Sequence, residues 1–284
     1  MQVWQLAQAY VLTGGDGRAG IPSGDALSKL TFDQMRSAVE PQLAKGEVAL
    51  SLVGDFDEAA VIADVAKTLG ALPARPARTR MPLVTAPLQF KAKGTTTLTH
   101  NGQADQGIVS VSWPTTDDSD LKDSLVRDLL AQAMSLEALD MVREKLGASY
   151  APQGVSFDQQ SHPGYGYITL VTSSGTGDMD RIDAAFRQIA AEMRDKPISA
   201  DLLERAREPI LSSYARSDKQ NAGWVGIINY AQSWPERLDR RRQRDAVLKS
   251  ITPADIQAAA KRFLVDEKSA AIRVVPAARG AAAK

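Results

Sequence analysis

Two stretches at opposite ends of the chain follow one plan, and that plan constrains most of what the chain can become. Leu30-Thr31 opens a helical stretch leading into Leu50-Ser-Leu-Val53, and Ile251-Thr252 opens another leading into Ile272-Arg-Val-Val275. Thr31 precedes Val53 by 22 residues, and Thr252 precedes Val275 by 23. Each threonine is of N-cap type, its hydroxyl placed to accept from an otherwise orphaned helical N–H. Gln34 follows Thr31 at capping-box spacing, and Pro253 fills the first helical position after Thr252. A capped helix followed by an apolar strand, written twice, predicts a duplicated α+β architecture in which each lobe ends in the same unit.

The intervening chain fills in that plan. Residues 48–53 read as a buried strand because they are almost continuously apolar, and 58–69 read as a helix with Val61, Ile62, Val65 and Leu69 on one face. Between Leu72 and Phe90, Pro73, Pro76, Pro82 and Pro87 alternate with Arg75, Arg78 and Arg80. Proline removes a backbone donor and drives its predecessor towards extended geometry, so 73–90 is the expected domain boundary. The expected organisation is therefore 1–72 as the closing part of a preceding domain, 91–276 as a complete domain, and 277–284 as a frayed tail. Within 91–276, strands are expected at 95–100, 107–113, 150–158, 165–173 and 270–275. A long helix follows the Asp117-Asp-Ser-Asp120 cap and stops at Gly147. Further helices are expected near 178–195, 199–217, 221–233 and 237–249.

Composition excludes several functions. Lys+Arg and Asp+Glu are both 34, which leaves no overall basic surface for nucleic acid. Cysteine is absent, which removes thiol catalysis, disulfides and Cys-based metal sites, and is compatible with an oxidising compartment such as a periplasm. No apolar run approaches the ~20 residues needed to span a bilayer. The first ten residues lack the basic-then-apolar pattern of a signal peptide and read as an amphipathic helix already under way, as expected for a chain that begins inside a longer polypeptide. The histidines are His100 and His162. Neither stands in an H-x-x-E-H stretch or its inverse, so both read as surface or loop residues. No G-x-S-x-G elbow exposes a serine nucleophile, and Gly14-Gly-Asp-Gly lacks the Gly-Lys-Ser/Thr ending of a phosphate cradle.

The segment richest in chemistry is Val142-Arg-Glu-Lys-Leu-Gly-Ala-Ser-Tyr150. Arg143 lies in the last turn of the long helix, Gly147 ends it, and Tyr150 begins a strand. A guanidinium and a phenol converging across that break would offer two donors to a developing oxyanion. The same residues have a purely structural reading, with Arg143 complementing the helix dipole and Tyr150 packing as a strand aromatic. Elsewhere, Arg237, Arg240, Arg241, Arg242 and Arg244, interrupted by Asp239 and Asp245, read as a solvated helix face. Asn221-Ala-Gly-Trp-Val-Gly226 reads as a helix start with Trp224 in the core. Phe157, Tyr165 and Tyr167 read as half-buried strand aromatics.

The run from Val142 to Tyr150 resembles the R/Y motif in the C-terminal domains of M16 metallopeptidases, the pitrilysin, insulinase and mitochondrial-processing-peptidase family. Gly15-Asp-Gly-Arg-Ala-Gly-Ile-Pro22 is similar to the loop before the inter-domain helix of bacterial members. Leu52-Val-Gly-Asp-Phe56 resembles the family's strand ending in V-G-D, followed by a helix and Leu72-Pro73. The resemblance spans about residues 14–276. It implies an α+β, LuxS/MPP-like metallohydrolase-type fold with an antiparallel-rich sheet packed against helices. It further implies that Arg143 and Tyr150 act on the substrate carbonyl and tetrahedral intermediate. The family's zinc motif H-x-x-E-H is missing, so the chain would carry no cofactor itself. Zinc would reside on a partner M16 domain or subunit, in the same polypeptide or a heterodimer, and the substrate would be a peptide or small unfolded protein. Alternatives are a non-catalytic M16-like structural or peptide-binding subunit and an unrelated α+β peptide-binding module.

Overall fold

A computed structural model describes residues 2–22, 24–75, 86–142, 151–158, 162–229, 231–232 and 234–277. The chain divides into two compact units, one of residues 1–21, 83–210 and 244–284, the other of 22–82 and 211–243.

The first unit is built on a five-stranded sheet. Its strands are β1 (Gly94–His100), β2 (Gln106–Thr115), β3 (Gln153–Asp158), β4 (Gly166–Gly175) and β5 (Ala270–Pro276), in spatial order β1-β5-β2-β4-β3. Only the β1–β5 pairing is parallel; the other three are antiparallel. β2 is buried without interruption from Gly107 to Trp113, as a central strand covered on both faces must be. Its alternate residues face different layers. Val109, Val111 and Trp113 are fully buried on the side of helices α5 (Leu121–Asp140), α6 (Met179–Asp195) and α10 (Pro253–Phe263). Ile108 and Ser110 face helix α1 (Gln2–Leu12), whose Trp4 donates its indole N–H to Ser110 Oγ at 2.8 Å in a buried hydrogen bond.

Helix α1, read from the sequence as part of a preceding domain, thus lies on this sheet. Gly14 and Gly15 end it with φ of 69° and 90°, a left-handed exit that glycine adopts without a Cβ penalty. The Leu12 carbonyl then accepts from the amides of Lys91 and Ala92, seating 86–92 beside the helix end with Leu88 buried. Residues 76–85, the centre of the expected proline-rich boundary, lie outside the described residues.

Local signals produced the expected helices. α10 is capped by Thr252 through a full capping box with Asp255. α7 (Ala200–Ser217) and α9 (Glu236–Ser250) fall where expected. Among the described residues no helix is long and apolar enough to cross a membrane.

The second unit contains α2 (Gly24–Ser28), α3 (Phe32–Lys45), α4 (Glu58–Lys67) and α8 (Asn221–Ile228). Thr31 caps α3 through the expected box with Gln34. Residues 48–53 depart from expectation. They join no strand among the described residues, and Val48, Leu50 and Leu52 are 42–47% exposed. A strand exists only where a neighbour accepts its backbone hydrogen bonds, and this run finds none. Trp224 also departs from its expected core position. It is 37% exposed and lies under the Arg241 guanidinium, 3.8 Å from its ring centroid, donating to the Asp218 carbonyl at 3.0 Å.

Candidate functional site

The R/Y candidates, Arg143 and Tyr150, and the expected stop at Gly147 lie outside the described residues, but both flanks of their segment are described. On one side α5 continues into a π-type turn with Met141 and Val142 buried. On the other, the chain returns at Ala151 and enters β3 at Gln153.

β3 is held against α5 at three levels. Ser135 Oγ donates to the Pro152 carbonyl at 3.4 Å. Gly154 lies so close to the helix that a Cβ there would collide with the carbonyl oxygen of Ala131. At the far end of the strand, Arg127 is completely buried and pairs with Asp123 and, at 2.6 Å, with Asp158. Arg127 also donates to the Asp117 carbonyl at 2.7 Å, and Ser124 Oγ donates to Asp158 at 2.8 Å. A buried guanidinium with several acceptors fixes geometry, because removing one partner would strand a charge away from water. Asp120 caps α5 by accepting from Asp123 N–H at 2.8 Å, so the network also fixes where the helix begins. Beside it, burial pushes the Asp128 carboxyl up to about 6, and the negative charge of Asp158 acts in the same direction.

The neighbouring aromatics form one cluster on the α1 face of the sheet. Phe157 stacks on Tyr167 with ring centroids 4.9 Å apart, and Tyr165 meets both rings edge-on. Tyr165 and Tyr167 are buried rather than half-buried, because α1 and residues 88–92 contribute to the same core. Burial pushes the Tyr165 hydroxyl up to about 12, so it stays protonated.

The histidines serve loops. His100 Nε2 lies 2.8 Å from the Gln106 carbonyl, and its Nδ1 accepts from Gly102 N–H at 2.9 Å, which places the ring proton on Nε2. His162 carries the turn into β4, its carbonyl accepting from Tyr165 N–H. Among the described residues, no group of three or more His, Cys, Asp or Glu side chains converges to hold a metal ion. The arginine-rich stretch is neutralised locally, Arg241 by Asp218, Arg242 by Asp239 and Arg244 by Asp245. Sequence reasoning missed the Arg127 network. Its signal was an arginine four residues after Asp123 on the apolar side of a capped helix.

Residues 29–210 match the family model of the peptidase M16 inactive domain, well over half of the chain. The chain belongs to that family. Its fold is shared with the peptidase M16 inactive domain from Pseudomonas fluorescens, at a TM-score of 0.73 and 19% identity over 98% of this chain and 66% of that one. It is similar to a protease from Helicobacter pylori, at a TM-score of 0.74 and 12% identity over 91% of this chain and 62% of that one. The periplasmic protease PqqL from Escherichia coli matches 97% of this chain over 31% of its own, at 15% identity and a TM-score of 0.71. This M16 chain thus spans less than two thirds of each of these neighbours. No curated protein sequence matches it. The mixed sheet packed against helices is the α+β M16 architecture that the R/Y resemblance implied.

Proposed function

We propose that this chain is the non-zinc-binding half of an M16-type zinc endopeptidase acting on peptides or small unfolded proteins. Arg143 and Tyr150 would donate to the substrate carbonyl and the oxyanion of the tetrahedral intermediate. The observation that carries the reading is the clamp between α5 and β3. The two elements flanking 143–150, a helix and a sheet strand, are tied to each other by these contacts, which suits residues that must present donors with little reorganisation. Zinc, bound on a partner M16 domain in the same polypeptide or a heterodimer, supplies the Lewis acid and activated water. This chain would hold the carbonyl oxygen and stabilise the charge that develops on it.

The test uses the complete assembly with Arg143→Ala and Tyr150→Phe. Each is expected to lower kcat by ~10²–10³ with little change in KM, since losing one oxyanion donor typically costs that much. Unchanged hydrolysis in both variants refutes the assignment. It would leave the second reading, a non-catalytic M16-like subunit that scaffolds or binds peptide, which the family's description as an inactive domain favours.

A further inference from the structure

The chain has three asparagines, Asn101, Asn221 and Asn229, and of these Asn101 alone precedes a glycine. In Asn-Gly the side-chain carbonyl carbon is open to attack by the next backbone nitrogen, because glycine has no Cβ to crowd the approach. Ala222 and Tyr230 follow the other two. Asn101 and Gly102 lie in the loop from β1 to β2, and both are exposed to water.

The residue before them is fixed. His100 ends β1, pairs with Pro276 of β5, and accepts from Ala277 N–H through its carbonyl at 2.8 Å. Its ring is held from the other side, with Nε2 2.8 Å from the Gln106 carbonyl at the start of β2. The ring proton therefore sits on Nε2, and the Nδ1 lone pair accepts from Gly102 N–H at 2.9 Å. The nitrogen poised beside Asn101 is thus the one whose proton already points at a base, within the reach that general-base catalysis requires. Gly102 lies outside the β1–β5 and β2–β4 ladders, so no sheet hydrogen bond has to break before it reacts. A Cβ on residue 102 would stand 2.9 Å from His100 Nδ1, so the contact itself depends on glycine.

We propose that His100-Asn101-Gly102 is a self-modifying site, in which His100 is the general base for deamidation of Asn101. His100 Nδ1 takes the Gly102 N–H proton, and the nitrogen attacks Asn101 Cγ. The N–Cγ bond forms, the imidazolium returns the proton to Nδ2, the Cγ–Nδ2 bond breaks, and ammonia leaves. The product is a five-membered succinimide, and the imidazole is regenerated. Water is the co-reactant of the second step. It opens the ring at Cγ to give aspartate, or at the main-chain carbonyl to give isoaspartate. Isoaspartate inserts a methylene into the backbone and withdraws Gly102 N–H from Nδ1, so the site acts once. Both products place a carboxylate on a loop that shares a cavity of about 390 Å³ with Gln2 and Val3 of α1. There the N-terminal end of the helix dipole favours a negative charge.

The test incubates the 284-residue chain in buffer and in guanidinium chloride at one pH, then separates the asparagine, aspartate and isoaspartate forms of the 101 peptide by chromatography and mass spectrometry. Peptides containing Asn221 and Asn229 serve as references in the same digest. Folded Asn101 should convert at least ~10-fold faster than unfolded, a modest share of what a positioned general base typically supplies. This comparison uses the wild type alone and stands whether or not a variant folds. His100→Gln keeps a carbonyl that can accept from Gly102 N–H but has no basic nitrogen. It should slow conversion of the folded chain by at least ~10-fold, whereas the two unfolded chains should agree. Three outcomes overturn the proposal. One is a folded wild type that converts no faster than the unfolded chain. Another is a folded His100→Gln chain that converts at the wild-type rate, which would assign the reaction to the loop and not to the imidazole. The third is an equal wild-type advantage in guanidinium, which would make the effect one of sequence rather than of fold.

Discussion

Asp128→Asn isolates the electrostatics of the layer that holds β3. In the fold, burial and then the charge of Asp158 raise the Asp128 carboxyl from 3.8 to about 6. Its protonated form is therefore favoured in the folded chain, while in the unfolded chain it ionises near 3.8. Between these values the folded state binds more protons, so this contribution to stability is complete below about pH 4 and is lost as pH rises through 6. A gap from 3.8 to about 6, at 1.36 kcal/mol per pH unit, is worth about 3 kcal/mol. Asparagine has nearly the same shape and cannot ionise. The difference in unfolding free energy, variant minus wild type, should therefore grow by about 2–3 kcal/mol between pH 4 and pH 7.5. Carboxylates with the opposite tendency, such as Asp117 and Asp255, titrate in both proteins and cancel in the difference. The attraction of Arg127 for the ionised carboxyl opposes the shift and is already contained in the value of about 6. Urea unfolding followed by circular dichroism at both pH values provides the measurement. A difference independent of pH, or one that shrinks as pH rises, would show that Asp128 is ionised in the fold at acidic pH and would refute the reasoning.

Two further outcomes follow from contacts in the same unit. Gly154→Ala forces a methyl into the Ala131 backbone and should destabilise by about 1–3 kcal/mol, as overpacking does, with faster amide exchange concentrated in β3; wild-type exchange there would mean that α5 yields. Trp4→Phe leaves the buried Ser110 hydroxyl without its indole donor and should cost roughly 1–3 kcal/mol in chemical denaturation, whereas an unchanged midpoint would mean that α1 is not anchored through this bond.

What could be read from the sequence divides according to the range of the interactions. The box at Thr31 and the caps at Thr252 and Asp120 were legible because donor and acceptor lie within a few residues of each other. β2 and β4 were legible as compact, largely apolar runs of strand length, and both are buried almost without interruption. Arg127 was not legible as the centre of a network, because Asp158 comes 31 residues later and approaches only when β3 packs on α5. Nor was the position of Trp224, since its partner Arg241 belongs to a different helix. Arg143 and Tyr150 came from a motif, and the structure contributes the clamp on either side of them.

The duplicated helix-and-strand unit shows where the division falls. Sequence alone determined that 48–53 and 270–275 should have the same local form, since cap, helix and apolar run are all encoded within about 23 residues. Tertiary structure alone decided that one becomes a buried inner strand and the other a largely exposed run outside any strand among the described residues. The physical reason is that a strand's backbone is satisfied by its neighbours, and β5 has β1 and β2 beside it, whereas 48–53 have no strand beside them among the described residues.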